Sequence, residues 1–375
     1  MSFQINRENG IVNRGNLYRL KQLMQRAERG EEITLGFLGG SITQGSLSTK
    51  PELCYAYLVY DWWKKTFPQT KFNYVNAGIG GTTSQFGVAR VQSDLLEYAP
   101  DFVITEFSVN DESNEHFLET YEGLIRKIYA SKTAPAMLIV HNVYYNNGAN
   151  AQLQHAKVGR YYQIPCVSMQ SSIYPEVLAG KIENRKITPD DLHPNDAGHA
   201  LVASVIAYFL EKVYKEMNMP EEEPVGLPKA FTPNAYEQSL RYRNNNCIPA
   251  YRGFIKDERT QNGITDCFKN GWEATEKGAS IVFEIEGTGV AVQYRKTIKK
   301  PAPIAEVVVD NDYENAVRLD ANFDEDWGDK LELDTITEHM PYAKHRVEIK
   351  IIETHPEDVT SFYLVSVIGT GRSGA

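Results

Sequence analysis

The chain has 375 residues, of which 42% are hydrophobic and 23% charged, and its formal net charge is −10 at pH 7. This length favours two domains, and the composition is that of a globular protein with a sizeable core. The negative charge argues against nucleic acid as a partner, because binding phosphates requires clustered Lys and Arg.

Residues 1–32 are polar and contain no continuous apolar stretch of the kind found in signal peptides. No later segment is long and apolar enough to cross a bilayer, so no membrane partner is expected. The four cysteines form no CxxC pair and no zinc spacing, and we interpret them as free thiols. From these features we expect a cytoplasmic protein.

The first 219 residues alternate between helical and strand patterns. Leucines at helical spacing predict a helix at 16–30, and the apolar run at 33–39 predicts a buried strand. Further helices are predicted at 53–67, 84–99, 116–131, 150–163 and 195–217, and further strands at 71–78, 101–108, 136–143 and 165–169. Such alternation is typical of an α/β domain in which crossover helices join parallel strands.

A change of composition follows this domain. Residues 220–229 are rich in Pro and Glu and have no periodicity, which predicts a linker between a first domain at 1–219 and a second at 230–375. The second domain contains short segments rich in Val, Ile, Phe and Tyr and bounded by turn residues, at 280–287, 290–297, 304–311, 345–352 and 361–369. They predict an all-β sandwich.

A serine follows the first buried strand in "LGFLGGSITQG", residues 35–45. In open α/β sheets, ligands bind beyond the carboxyl ends of the strands, which is where Ser41 is expected to lie. Its hydroxyl becomes a nucleophile if a base takes the proton and fixed donors stabilise the developing oxyanion. Taken alone, Gly-Gly-Ser after a strand is more often only a turn.

A base and a carboxylate occur together in "TPDDLHPNDAGHALVA", before the last helix. His193 lies next to a proline favoured at the first position of a helix, and Asp190 lies three residues earlier. This spacing allows the carboxylate to hold one ring nitrogen while the other faces Ser41. Asp191 competes with Asp190 for this role. A histidine before a helix is more often a cap or a surface residue, which is what we expect of His199.

Two more loops at the same predicted edge offer donors for an oxyanion. "NAGIGGTTS" follows the second strand of the alternating series, and its glycines let the backbone near Gly81 turn an N–H inward. "SVND" follows the next strand and contributes the side-chain amide of Asn110. The alternatives are a phosphate cradle for the glycine loop, which lacks the Lys-Ser/Thr of a P-loop, and a helix cap for Asn110.

Together the segments "GGSITQG", "NAGIGGTTS", "SVND" and "DDLHP" resemble the four sequence blocks of the SGNH hydrolases, also called GDSL-type esterases. The resemblance covers about residues 1–215. It implies a three-layer flavodoxin-like fold and ester hydrolysis through an acyl-serine, with no metal or other cofactor. The implied triad is Ser41, Asp190 and His193. The implied oxyanion hole consists of the Ser41 N–H, the Gly81 N–H and Asn110.

The chain departs from the family pattern at two positions. Gly40 replaces the usual Asp before the serine, which puts the rigidity of the turn in question. Ser108 replaces the usual Gly two residues before Asn110, and we expect it to narrow or polarise the floor of the pocket.

The second domain bears on the substrate. A β-sandwich attached to an esterase resembles a carbohydrate-binding module, and Trp327 and Trp272 are candidates for stacking on a sugar. The alternative places both in the core or at a hinge. Four acidic residues raise the question of calcium, but the EF-hand glycine and final Glu are missing, so a solvated loop without metal is predicted. These residues are Asp320, Asp324, Asp326 and Asp329.

The overall layout resembles that of bacterial acetyl-mannan esterases. It implies removal of acetyl groups from acetylated manno-oligosaccharides, with the second domain closing over the sugar. Two other functions stay open. One is a thioesterase or lipid acylhydrolase on the same scaffold, and the other is a sugar-binding protein whose hydrolase domain is inactive.

Overall fold

The computed structural model of the protein describes residues 3–371, which divide between Pro233 and Asn234 into two compact units. Each unit has its own hydrophobic core. Among the described residues, no helix has the length and apolar character needed to span a membrane. The four cysteines are free thiols, as predicted.

The first unit is built on a six-stranded sheet with the order β1-β6-β5-β4-β2-β3. Strands β2 to β6 are parallel, and the short β1 pairs antiparallel with β6 at one edge. The parallel strands therefore follow the flavodoxin-like order, with the chain reversing direction across the sheet beside β2. The strands are β1 Ile11–Asn13, β2 Ile33–Gly39, β3 Phe72–Gly78, β4 Phe102–Glu106, β5 Ala136–His141 and β6 Cys166–Ser168.

Helices cover both faces of this sheet. On one face, α1, α3 and α9 share a core with alternate residues of β2 such as Leu35 and Phe37. On the other, α5 packs between α4 and α6. The predicted three-layer α/β fold is confirmed. The helices are α1 Tyr18–Glu28, α2 Ser41–Gln44, α3 Tyr55–Thr66, α4 Ser84–Asp94, α5 Glu115–Tyr129, α6 Gln152–Tyr161, α7 Met169–Ser172, α8 Tyr174–Leu178 and α9 Asp196–Glu216.

Three adjacent strands of the sheet end level with one another. Gly39, the last residue of β2, pairs with Gly78 of β3 and with Glu106 of β4. Because each is the last residue of its strand, the loops that follow β2, β3 and β4 start side by side. These are the loops that carry Ser41, Gly81 and Asn110.

The predicted linker at 220–229 forms neither helix nor strand, and it is fastened to the first unit. Glu221 pairs with Arg14 at 2.9 Å and with the buried Lys21 at 3.0 Å. Farther along, the buried Glu122 carboxylate accepts the backbone N–H groups of residues 231 and 232. These bonds account for the position of the boundary after Pro233, slightly beyond the predicted start of the second domain at residue 230.

The second unit consists of two antiparallel sheets, with strand orders β15-β12-β17-β10-β9 and β14-β13-β16-β11-β8; β7 also pairs with β17. Alternate residues of β11 and β12, such as Phe283 and Val292, form the core. The predicted all-β architecture is confirmed. The strands are β7 Leu240–Tyr242, β8 Ala250–Arg252, β9 Ile255–Lys256, β10 Trp272–Ala274, β11 Ser280–Gly287, β12 Gly289–Lys296, β13 Ile304–Val309, β14 Val317–Asp320, β15 Lys330–Thr337, β16 Ala343–Glu353 and β17 Phe362–Thr370.

Candidate active site

Ser41 is the first residue of α2, immediately after the end of β2. The single turn is closed by a bond from the Gln44 N–H to the Gly40 carbonyl, and it ends at Gly45, which adopts a left-handed backbone. Ser41 is buried apart from a small exposed fraction, and its Oγ lies 2.7 Å from His193 Nε2. A base is therefore within hydrogen-bond reach of the hydroxyl.

His193 is held on its other side by Asp190. The ring Nδ1 lies 2.5 Å from Asp190 Oδ2, and Asp190 Oδ1 accepts the backbone N–H groups of His193 and Leu192 at 2.7 and 3.1 Å. Burial raises the pKa of the Asp190 carboxyl, but these hydrogen bonds outweigh it and hold the pKa below its ordinary value. The carboxylate stays ionised and fixes Nδ1 as the protonated nitrogen, which leaves Nε2 free to accept the Ser41 proton.

Asp191, the competing carboxylate, forms hydrogen bonds with other residues and not with His193. Its backbone has φ +70°, and its side chain bonds Asn184 Nδ2 at 2.5 Å and the Arg185 guanidinium at 2.8 Å. Its carbonyl accepts the N–H of Tyr145. Asp191 thus fixes the loop, while Asp190 faces His193.

Two backbone N–H groups beside Ser41 are available to a bound oxygen. Within residues 3–371, neither the Ser41 N–H nor the Gly81 N–H has a hydrogen-bond acceptor. Gly81 has φ +67°, and a Cβ built on it would meet no atom within 4 Å, so its surroundings are open. The preceding Gly80 lies close to the nucleophile, because a Cβ on it would be 3.6 Å from Ser41 Cβ.

Asn110 lies directly against the residue before the nucleophile. A Cβ on Gly40 would lie 2.2 Å from Asn110 Oδ1, and in the described structure this oxygen is buried without a partner. The amide nitrogen Nδ2 is the hydrogen-bond donor of this side chain, which could donate to an oxyanion. Asn110 is not a helix cap, since α5 is capped by Asn114. The structure therefore brings Ser41, His193, Asp190, Gly81 and Asn110 together at one edge of the sheet.

Comparisons with known proteins found relatives among the hydrolases. The GDSL-like Lipase/Acylhydrolase family matches residues 37–201. Two crystal structures of a two-domain esterase (CEX) active on acetylated mannans, one of them co-crystallized with mannopentaose, are 64% identical to the chain. They cover 100% and 99% of it and are themselves covered completely, with TM-scores of 0.96 and 0.97.

The chain belongs to the GDSL-like (SGNH) hydrolase family. A more distant relative is Thioesterase 1/protease 1/lysophospholipase L1 of Escherichia coli strain K12. It is 23% identical over 188 residues, which cover 48% of this chain and 83% of the relative. This match covers only the length of one domain, whereas the two-domain esterase matches both units.

Within this SGNH hydrolase, the unusual Ser108 has an internal partner. Its N–H and its hydroxyl lie 3.2 and 3.0 Å from Oε1 of the fully buried Glu106. Burial raises the pKa of Glu106 to about 7, although the bonds from Ser108 act in the opposite direction. Ser108 is itself fully buried. The expectation that it shapes the floor of the pocket is therefore wrong, because its hydroxyl donates to the buried Glu106 carboxylate and lies 3.1 Å from the Asn142 carbonyl.

His199 was expected at a cap or on the surface, and this expectation is also wrong. The ring is fully buried, accepts the Tyr55 N–H at Nδ1 and lies 3.1 Å from the Ser46 carbonyl at Nε2. Burial lowers its pKa to about 4, which keeps it neutral at pH 7. The sequence contains a signal for this position, because His199 shares one helical face with the buried Val202 and Ile206.

The two candidate sugar-binding tryptophans differ in exposure. Trp272 is 1% exposed and packs edge-to-face against Phe283 in the sandwich core, so its prediction as a sugar-binding residue is wrong. Trp327 is 56% exposed, packs edge-to-face against Phe323 and donates its Nε1–H to Glu325 at 2.6 Å. Its ring is available for a ligand.

The acidic residues near Trp327 in the sequence bond separate partners. Asp320 bonds Asn322, Asp324 pairs with Lys300 at 2.8 Å, and Asp329 accepts from Thr297 at 2.7 Å. Among the residues that the structure describes, no group of three His, Cys, Asp or Glu side chains is placed to hold a metal ion.

Proposed function

We propose that this protein is a serine esterase that removes acetyl groups from acetylated manno-oligosaccharides. The observation that carries the proposal is the continuous chain of short contacts from Ser41 Oγ to His193 Nε2 and from His193 Nδ1 to Asp190 Oδ2. With two unpaired N–H groups and an amide beside the hydroxyl, the site has the parts that acyl transfer needs.

The reaction consists of two acyl transfers. Ser41 Oγ attacks the acetyl carbonyl as His193 takes its proton, and the carbonyl oxygen becomes an oxyanion facing the N–H groups of Ser41 and Gly81 and the Asn110 amide. The C–O bond to the sugar breaks, and His193 returns the proton to the departing hydroxyl. Water then repeats the sequence on the acetyl-serine and releases acetate.

The substrate class rests on the relative that matches the whole chain. The two-domain esterase active on acetylated mannans is 64% identical over both units, so the second unit as well as the catalytic unit has a counterpart there. We propose that the exposed ring of Trp327 contributes to binding the sugar, as aromatic side chains offer rigid contact area.

The alternatives have less support. A thioesterase or lipid acylhydrolase rests on the Escherichia coli relative, which is 23% identical and matches 48% of this chain. A sugar-binding protein without activity is disfavoured by the aligned triad, since nothing in its geometry is missing or turned away.

The test is the release of acetate from acetylated manno-oligosaccharides. The proposal expects turnover by the native protein, a loss of at least about 10⁴-fold in kcat for Ser41→Ala, and a raised KM with unchanged kcat for Trp327→Ala. With 4-nitrophenyl acetate, which has no sugar, Trp327→Ala is expected to match the native protein.

The same assay separates the alternatives. Cleavage of long-chain acyl thioesters or lysophospholipids without acetate release would replace the proposal with the lipid acylhydrolase. Binding of manno-oligosaccharide with no hydrolysis would replace it with the inactive sugar-binding protein. An unchanged KM for Trp327→Ala on the sugar substrate would remove Trp327 from the binding site.

A further inference from the structure

The loop that carries the Gly81 donor has few restraints of its own. It contains glycines at 78, 80 and 81, and glycine has the largest backbone freedom of any residue. Gly81 itself has no neighbour that a side chain would touch. An oxyanion donor stabilises a transition state only if it is already aimed at the position where the charge develops. Something else in the structure must therefore fix this loop.

Three hydrogen bonds hold residues 79–82 of the loop. The Ile79 N–H donates to the Gly39 carbonyl at 3.1 Å, and the Thr82 hydroxyl donates to the Ile79 carbonyl at 2.7 Å. The third is from the Gly80 N–H to Oε1 of Gln44, also at 2.7 Å. It lies nearest to the Gly81 N–H along the chain.

Gln44 belongs to the same helical turn as the nucleophile. It is the last residue of α2, three positions after Ser41, so the two side chains project from neighbouring positions on one face of the turn. The turn is itself anchored to β3, because Asn76 Nδ2 donates to the Thr43 carbonyl at 2.8 Å. One short element thus presents the attacking hydroxyl and, through Gln44, holds the loop of the oxyanion donor.

We propose that Gln44 is a positioning residue for ester hydrolysis, which fixes the Gly80–Gly81 backbone relative to Ser41 so that the Gly81 N–H meets the oxyanion. The inference rests on the proposed acyl transfer at Ser41 and adds a residue that touches neither substrate nor proton. Gln44 is exposed, and one such hydrogen bond contributes little to overall stability. Its loss is expected to reduce the rate without unfolding the protein.

The test compares two glutamine substitutions in the full chain. Gln44→Met keeps the length of the side chain and removes the acceptor. Gln69→Met is the matched control: Gln69 is also exposed and also bonds backbone, donating to the carbonyls of Ala27 and Glu28, but it lies before β3, at the opposite end of that strand from Gly78. Both are measured with 4-nitrophenyl acetate, by thermal melting and by phenylboronic acid binding. The tetrahedral adduct of a boronic acid with serine is an anion that mimics the tetrahedral intermediate.

The proposal expects Gln44→Met to lower kcat by about 10- to 100-fold with KM within about twofold, and to weaken phenylboronic acid binding by a similar factor. The melting temperatures of the two variants should agree, and Gln69→Met should keep native kcat. A Gln44→Met enzyme with native kcat overturns the inference, as does a loss that appears in KM alone or equally in Gln69→Met. A native protein that does not cleave the acetate ester overturns the proposed function as well.

Discussion

At the scale of single residues, Gly40 and Asn110 lie in close contact beside the nucleophile. Its Cα hydrogen faces Asn110, and a Cβ in that direction would come within 2.2 Å of Oδ1. The Asp that SGNH hydrolases usually carry before the nucleophile therefore has no room here unless Asn110 moves. In this chain the glycine makes space for an oxyanion donor.

Gly40→Ala is accordingly expected to lower kcat for 4-nitrophenyl acetate by about 10-fold or more, because the new methyl group displaces the Asn110 amide. The decisive comparison is made in an Asn110→Ala background, where the displaced side chain is already absent. Steady-state kinetics should show no further loss on adding Gly40→Ala there. Losses that multiply in the double variant would contradict the account.

Ser41, Asp190 and His193 could be proposed as a triad from the sequence because each lies in a short motif of known chemistry, and the structure places them within hydrogen-bond reach of one another. The choice between Asp190 and Asp191 is different, since two adjacent carboxylates are equivalent by composition. In the structure, the left-handed backbone at Asp191 turns the two side chains apart, toward His193 and toward Arg185. Ser108 was misassigned because its partner Glu106 belongs to a buried strand end, where a carboxylate is not expected.

At the scale of elements, β4 ends at a buried acid, Glu106. Glu106 is fully buried, and its Oε1 accepts the N–H and the hydroxyl of Ser108. Burial raises its pKa from the ordinary 4.5 to about 7. The folded protein therefore holds this proton more tightly than the unfolded chain does, so the contribution of Glu106 to stability falls as the pH rises from about 4.5 through about 7.

Glu106→Gln removes this titration and keeps an oxygen to accept from Ser108. The free energy of unfolding of the native protein should fall relative to that of the variant between pH 5 and pH 8, by up to about 3 kcal/mol. Urea unfolding at several pH values measures the difference. Stability curves that run parallel across this range would show that Glu106 does not titrate there.

Several long periodic elements were predicted nearly to their ends, whereas some other elements were missed. The predicted strand at 71–78 is Phe72–Gly78, and the helix at 195–217 is Asp196–Glu216. The three-residue β1 was missed because it is defined by its antiparallel pairing with β6, far along the chain. In the second unit, β8 is exposed along its whole length and so lacks the apolar alternation that reveals a strand.

At the scale of the whole molecule, the division into two units was visible in the sequence as a change from alternating helices and strands to strands alone. The exact position of the boundary was not visible in the sequence. Residues 230–233 belong to the first unit, where the N–H groups of residues 231 and 232 bond Glu122, more than a hundred positions earlier. All of the triad and the oxyanion donors belong to the first unit, whereas the exposed Trp327 belongs to the second. The chemistry and the proposed sugar contact can therefore be altered independently.

The central claim is that Ser41 carries the acyl group during turnover. The most direct measurement is acid quenching of the native protein during hydrolysis of 4-nitrophenyl acetate, followed by peptide mass spectrometry. The account predicts an acetyl group on the peptide containing Ser41 and on its hydroxyl, and no such label in Ser41→Ala. Steady hydrolysis with Ser41 unmodified at every time point, and persisting in Ser41→Ala, would contradict it.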